Sequence, residues 1–182
     1  MITWEQDLIG KVQEGDPEAF AHLVKKYQDP IFNSICRILG DADAAADITQ
    51  QAFVSAYEKI HTYNPEHRFF SWLYRIAYNG AMNRIKRRRY LQPLADIDLQ
   101  DTGPSPADRL ATRELNHLVN AGLATLAYKY RVLLVLRHYL NFSYAEIARI
   151  TDLPVSSVRS RLYTARGLLR DQLLDQGVGV VT

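Results

Sequence analysis

Apolar residues recur along most of this chain at intervals of three and four, the period of a helix with one buried face. No stretch alternates with period two, so strands are not expected. A short first helix is predicted from Thr3 to Glu14, stopping at Gly15. "GDPEAF" then starts a second. Asp16 caps the free amides, Pro17 suits the first helical position and Glu18 complements the positive helix end. Its stripe is Phe20, Leu23, Val24, Tyr27, Ile31, Ile35 and Leu39, with Pro30 placed to bend it and Gly40 to end it. Asp41 or Asp43 opens a third helix, with Ile48, Ala52, Phe53, Ala56, Tyr57 and Ile60 on one face. "HTYNPEHR" reads as a loop, because Asn64-Pro65 is a turn signal, and a fourth helix follows from about Arg68 to Tyr90.

The pattern then breaks. "LQPLADIDLQDTGPSPADRLA" carries Pro93, Pro104, Pro106 and Gly103 and no stripe, so Leu91 to Ala111 reads as a flexible acidic linker. Beyond it, Leu115, Leu118, Val119, Gly122, Leu123 and Leu126 mark another amphipathic helix. An apolar stretch from Tyr130 to Leu140 follows, and then two short helices separated by "TDLP". The expectation is an all-α fold of two small helical domains, residues 1–90 and 112–175. The linker 91–111 joins them, and a tail covers 176–182.

Charge sharpens this picture more than composition does. The formal net charge is only +2 over 182 residues. Yet residues 1–60 hold ten acidic and five basic side chains, and Ser71 to Tyr90 holds six basic ones and no acid. Val155 to Arg170 holds four arginines and no acid. Two separate basic segments in a nearly neutral chain predict two local anionic contacts. The longest apolar run, "VLLVL", is too short to cross a bilayer, which takes about 20 apolar residues, so no membrane insertion is expected. Trp4, Glu5 and Asp7 stand where a signal peptide needs basic and apolar residues. The lone Cys36, on an apolar stripe, fits a buried thiol and a cytoplasmic setting. His22, His61, His67, His117 and His138 show no metal-ligand spacing, and no glycine-rich phosphate loop is present. Catalysis, metals and cofactors are therefore not expected.

On a helical wheel, Phe69, Leu73, Ile76, Ala77 and Gly80 of the fourth helix share a core-facing arc. Ser71, Arg75, Asn79, Asn83 and Lys86 share the opposite arc, bordered by Trp72, Tyr74 and Tyr78, and Arg84 falls near the buried side. One reading is a surface for single-stranded nucleic acid, with cations for phosphates, rings for unpaired bases and asparagines for base edges. The other is a core helix with a solvated basic end, where positive charge is favoured anyway.

"SYAEIARITDLPVSSVRSRLYTARGLLR" has the chemistry of a helix-turn-helix. Ser143 and Glu146 form a capping box, and small Ala148 permits close helix approach. Asp152 suits a left-handed turn residue. Val158, Leu162, Ala165 and Leu169 form the buried stripe of the second helix. Ser156, Ser157, Arg159, Ser160, Tyr163 and Arg166 fall mainly outside that stripe, as a helix lying in a major groove requires.

In this order the two segments resemble bacterial RNA polymerase sigma factors of the small extracytoplasmic-function (ECF) group, over about Asp16 to Leu174. "DITQQAFVSAYEKI" resembles the family's core-polymerase-binding segment. "FFSWLYRIAYNGAMNRIKRRR" resembles its promoter-melting and minus-ten-reading segment. "FSYAEIARITDLPVSSVRSRLYTARGLL" resembles its minus-thirty-five-reading segment. The resemblance implies that Asp47, Gln50 and Gln51 dock on the polymerase clamp helices, with Gln51 standing where the family often has Glu. It implies that Asn79 and Asn83 contact bases of the separated minus-ten strand, beside a flipped-base pocket lined by His61 to Arg68. Arg75, Arg84, Lys86, Arg87 and Arg88 would hold its backbone, while Arg159, Ser160, Tyr163 and Arg166 bind the minus-35 duplex with Ser156 and Ser157 near phosphates. Implied partners are core RNA polymerase through clamp helices and flap, promoter DNA both duplex and single-stranded, and an anti-sigma factor. The linker would thread towards the RNA exit path. Larger relatives carry further domains that this chain lacks, so inhibition in cis is not expected. The alternative is a conventional helix-turn-helix regulator that binds duplex operators without polymerase.

Overall fold

The structure, a computed structural model, describes residues 4–91 and 110–175, without the side chains of 89–91 and 110–117. The predicted linker therefore lies almost wholly outside the described residues, and so does the tail 176–182. All regular elements described are helical. They are α1 (Trp4–Gln13), α2 (Pro17–Leu39), α3 (Ala42–Glu58), a 3₁₀ turn (Ile60–Thr62) and α4 (Phe69–Leu91). The second half holds α5 (Leu110–Thr125), α6 (Tyr128–Leu134) running into a π turn (Val135–Tyr139), α7 (Tyr144–Thr151) and α8 (Val155–Asp175).

Local chemistry sets these boundaries. Asp16 accepts from the amides of Glu18 and Ala19 at the start of α2, and Asp41, not Asp43, caps α3 through the Ala44 amide. Gly40 closes α2 at φ 65°, a left-handed conformation that costs glycine nothing. The capping box at α7 is reciprocal: the Ser143 hydroxyl accepts from the Glu146 amide, and the Glu146 carboxylate accepts from the Ser143 amide. Such a cap is worth about 1 kcal/mol. Asp152 takes the left-handed turn at φ 57°. Cys36 is half-buried.

In the first half, α2 packs on α1, α3 and α4 around Leu23, Ile31, Ile35, Ala45, Phe53 and Leu73. Gly80 of α4 allows the close approach of α3, because a Cβ there would meet the Ile48 side chain at 3.3 Å. In the second half, α8 packs on α5, α6 and α7 through Val158, Leu162 and Ala165.

The two halves are also packed on each other. Phe142, just before α7, is fully buried with its ring 5.2 Å from Phe70 and 5.6 Å from Tyr74 of α4. Arg37 of α2 donates to Asn120 of α5 at 3.2 Å and lies 4.1 Å from the centre of the Tyr139 ring. This corrects the wheel reading of α4. Tyr74 does not border an exposed arc but is 0% exposed, and Ser71 is buried as well. The first turns of α4 are enclosed on almost every side, by its own half and by the helix-turn-helix. Arg84, placed near the buried side by the wheel, is exposed.

Candidate nucleic-acid interfaces

Beyond its buried first turns, α4 opens to solvent. Arg75, Asn79, Asn83, Arg84, Lys86, Arg87 and Arg88 are all exposed, and the basic end follows the arc that holds both asparagines. Trp72 is half-buried, 5.6 Å from both Tyr63 and Phe69, so most of its ring belongs to the core. Tyr78 is half-buried, and burial pushes its hydroxyl above the usual tyrosine range, while the nearby Arg161 charge works the other way. The loop before α4 is held by its own bonds. The Asn64 side chain accepts from the Glu66 amide at 2.9 Å, and the Tyr63 hydroxyl donates to the His67 carbonyl at 2.7 Å. His61, Asn64, Glu66, His67 and Arg68 remain exposed around it.

On α8, Ser156, Arg159, Ser160, Tyr163 and Arg166 are exposed and Ser157 is half-buried. Tyr163 is 81% exposed, a large ring left to solvent among the described residues. Arg166 reaches His138 through Nε at 3.3 Å and the Tyr144 hydroxyl through Nη2 at 3.3 Å. The Arg137 guanidinium lies over the Tyr144 ring at 5.3 Å and donates to the Phe142 carbonyl at 3.0 Å. Sequence reading missed Arg137, His138 and Tyr144. The adjacent Arg-His pair ahead of a left-handed Asn141 was the available signal. Partial burial, followed by the charges of Arg166 and Arg137, holds His138 below its ordinary value, so this corner is positive through its arginines alone near neutral pH.

A third surface lies on α3. Asp47, Gln50 and Gln51 are exposed on one face, followed one turn later by Val54, which is 55% exposed. Gln50 and Val54 line an open groove of about 1000 Å³ between α2 and α3, with Phe20, Val24, Phe32 and Tyr57 forming its apolar wall. Phe53 is buried beneath it, as expected. Among the described residues no cluster of His, Cys, Asp or Glu has metal-binding geometry, and no helix is long and apolar enough to cross a membrane.

Two family descriptions match these surfaces: Sigma-70 region 2 covers residues 23–90, which hold α3, the loop and α4, and Sigma-70 region 4 covers residues 118–169, which hold the helix-turn-helix. The RNA polymerase sigma-H factor of Pseudomonas aeruginosa is 36% identical over 91% of this chain and 93% of its own length. The ECF RNA polymerase sigma factor SigW of Bacillus subtilis is 34% identical over 92% of this chain and 95% of its own. The fold is shared with RpoE from Bartonella quintana, a sigma factor solved with the anti-sigma factor NepR. That likeness has a TM-score of 0.73 and 20% identity, over 85% of this chain and 96% of that one. A two-part helical fold that presents a basic asparagine-bearing helix and a helix-turn-helix is the architecture of a promoter-recognition factor. The chain belongs to the sigma-70 family, as an ECF sigma factor. It binds core RNA polymerase, recognises the two promoter elements and promotes melting and initiation.

Proposed function

We propose that the three surfaces divide this work by residue. Asp47, Gln50 and Gln51 dock on core polymerase. Asn79 and Asn83 contact bases of the opened minus-ten strand, and Arg75, Arg84, Lys86, Arg87 and Arg88 hold its backbone. Arg159, Ser160, Tyr163 and Arg166 bind the minus-35 duplex, with Ser156 and Ser157 at phosphates. The observation that supports this best is the placement of all these side chains at the surface, apart from half-buried Ser157, on three separate helices. Cations and amides on one exposed arc suit a flexible single strand, whose bases are splayed out for reading. An exposed helix that begins with serines and carries arginines suits a groove. The domains then run 1–90 for the minus-ten half and 112–175 for the minus-35 half.

The protein acts in the cytoplasm by binding alone and carries out no catalysis. An anti-sigma factor holds it in check, as the pairing of the Bartonella relative with NepR suggests. The test is in-vitro transcription from a library of random upstream sequences, using purified core polymerase with and without the protein. Protein-dependent initiation from templates sharing two spaced elements supports the assignment and reveals both elements. Duplex binding to one element, without core binding or initiation, favours the conventional regulator.

A further inference from the structure

His138 of the π turn and Arg166 of α8 meet at the edge of the exposed face of α8, and both are exposed. Arg166 Nε donates to His138 Nε2 at 3.3 Å, and Nη2 donates to the Tyr144 hydroxyl at 3.3 Å. A ring nitrogen accepts a hydrogen bond only without its proton, so this contact holds the imidazole neutral, with its proton on Nδ1. A protonated ring would set one N–H against another and one cation beside another.

The surroundings agree with the neutral form. The charges that act on the ring are those of Arg166 and of Arg137 beside it, both positive. Charged groups on the elements packed against this turn are engaged elsewhere. On α7, Glu146 accepts from Ser143 and Ser71, and Arg149 meets His67. On α2, Arg37 lies against the Tyr139 ring. On α6, Arg131 donates to backbone carbonyls and Lys129 lies over the Tyr130 ring.

A DNA phosphate reverses this balance. A guanidinium that turns to a phosphate gives up its donation to His138, and Nε2 is left beside an oxyanion instead of an N–H. A nearby negative charge favours the protonated ring. We propose that His138 is a further backbone contact of the minus-35 duplex, made by taking up one proton from solvent as the duplex binds. Nε2–H then donates to the phosphate that Arg166 holds. The proposal rests on the reading of α8 as the duplex-binding helix.

Binding and protonation are therefore linked. Duplex affinity rises as pH falls through the range where the complex holds the proton and the free protein does not. Sequence preference stays the same, because a phosphate contact positions the protein without reading bases.

The experiment uses the full chain and a rhodamine-labelled duplex carrying the minus-35 element recovered by the transcription assay. Affinity is read by anisotropy at constant ionic strength between about pH 8 and about pH 6. The parent is compared with His138→Gln, which keeps an acceptor for Arg166 but takes up no charge, and with His138→Arg, which is charged throughout. The parent is expected to gain about tenfold in affinity towards the acid end, and the glutamine variant less than about twofold. The arginine variant should bind at the alkaline end about as tightly as the parent at the acid end. An NMR titration of the His138 ring should move to higher pH when duplex is added. Equal pH dependence in the parent and the glutamine variant overturns the proposal, and so does a ring titration that duplex leaves in place. If duplex binding still prefers the element and Arg166→Gln still lowers the salt slope, those results reject His138 alone and leave α8 on the DNA. No preference for the element over a scrambled duplex at any pH rejects the reading of α8, and the His138 contact with it.

Discussion

Arg131 Nη1 of α6 donates to the carbonyl of Ile38, 93 residues earlier at the end of α2, at 3.0 Å. Its Nη2 donates to the carbonyls of Ala124 and Leu126. One buried guanidinium thus satisfies acceptors from both halves, including one that the end of α2 leaves without a helical partner. Burial pushes its pKa down to about 10, which still leaves it charged at neutral pH. Removing a donor from a buried acceptor costs about 1–3 kcal/mol. Arg131→Met is expected to lower stability by about 3 kcal/mol in urea melts, since three acceptors share the loss. Arg131→Lys recovers only part of it, because a single ammonium cannot copy the fork.

The helices were legible because their signals are local. Asp16, Gly40, Ser143 and Asp152 act within four residues of themselves, and the stripes of α2 and α8 bury as their spacing predicts. What packs against a buried face is not local. The wheel placed Tyr74 at the edge of a polar arc, but nothing in the spacing says that Phe142 arrives to cover it. Arg131 was hidden for the same reason: its acceptor lies at Ile38, in the other half. The π turn at Val135–Tyr139 was invisible too, since a shift in hydrogen-bond register leaves little trace in composition. The exposure of the candidate residues was readable because they lie where apolar periodicity is absent.

Asp47 is exposed on α3, so its replacement probes docking at little folding cost. Asp47→Arg is expected to weaken core polymerase binding about tenfold, with thermal stability unchanged, through loss and reversal of an interface charge. Gln51→Glu, which adds a second carboxylate to this face beside Asp47, is expected to strengthen it. Competition binding against the parent protein measures both. Equal affinities across the three proteins would remove this face of α3 from the contact.

His138 gives a pH dependence with a definite sign. It is held below its ordinary value of 6.5 by burial first, then by Arg166 of α8 and Arg137 beside it. The Tyr144 hydroxyl of α7 faces the same arginine. A base lowered on folding takes up more protons in the unfolded chain, so stability rises with pH across that window. Its contribution is full above pH 6.5 and shrinks as pH falls through that value. Arg166→Gln removes one charge and leaves the burial, so the imidazole value moves only part of the way back. An NMR titration of the His138 ring reads it directly, and an unshifted curve would place Arg166 away from the ring in solution.

Arg166 also tests the duplex side. Each phosphate neutralised releases counterions, giving a slope of about 0.9 in log affinity against log salt. Arg166→Gln is expected to reduce the salt slope of duplex binding by about one unit while leaving sequence preference unchanged. An unchanged slope would mean that this arginine stays on His138 and Tyr144 when DNA is bound.

Asn79 separates base reading from docking. It is exposed on the arc of α4 that runs towards the basic end, and the docking face proposed above lies on α3. A good contact to a base edge is worth about 1–3 kcal/mol of discrimination. Asn79→Ala is therefore expected to cut promoter melting about tenfold and flatten base preference at one minus-ten position. Its affinity for core polymerase should match that of the parent. Asn83→Ala, one helical turn on, should act at a neighbouring base if both amides face the strand. Permanganate footprinting of the opened region, together with core-binding competition, distinguishes the outcomes. Unaltered melting and preference in the Asn79 variant would return α4 to the reading of a core helix with a solvated basic end.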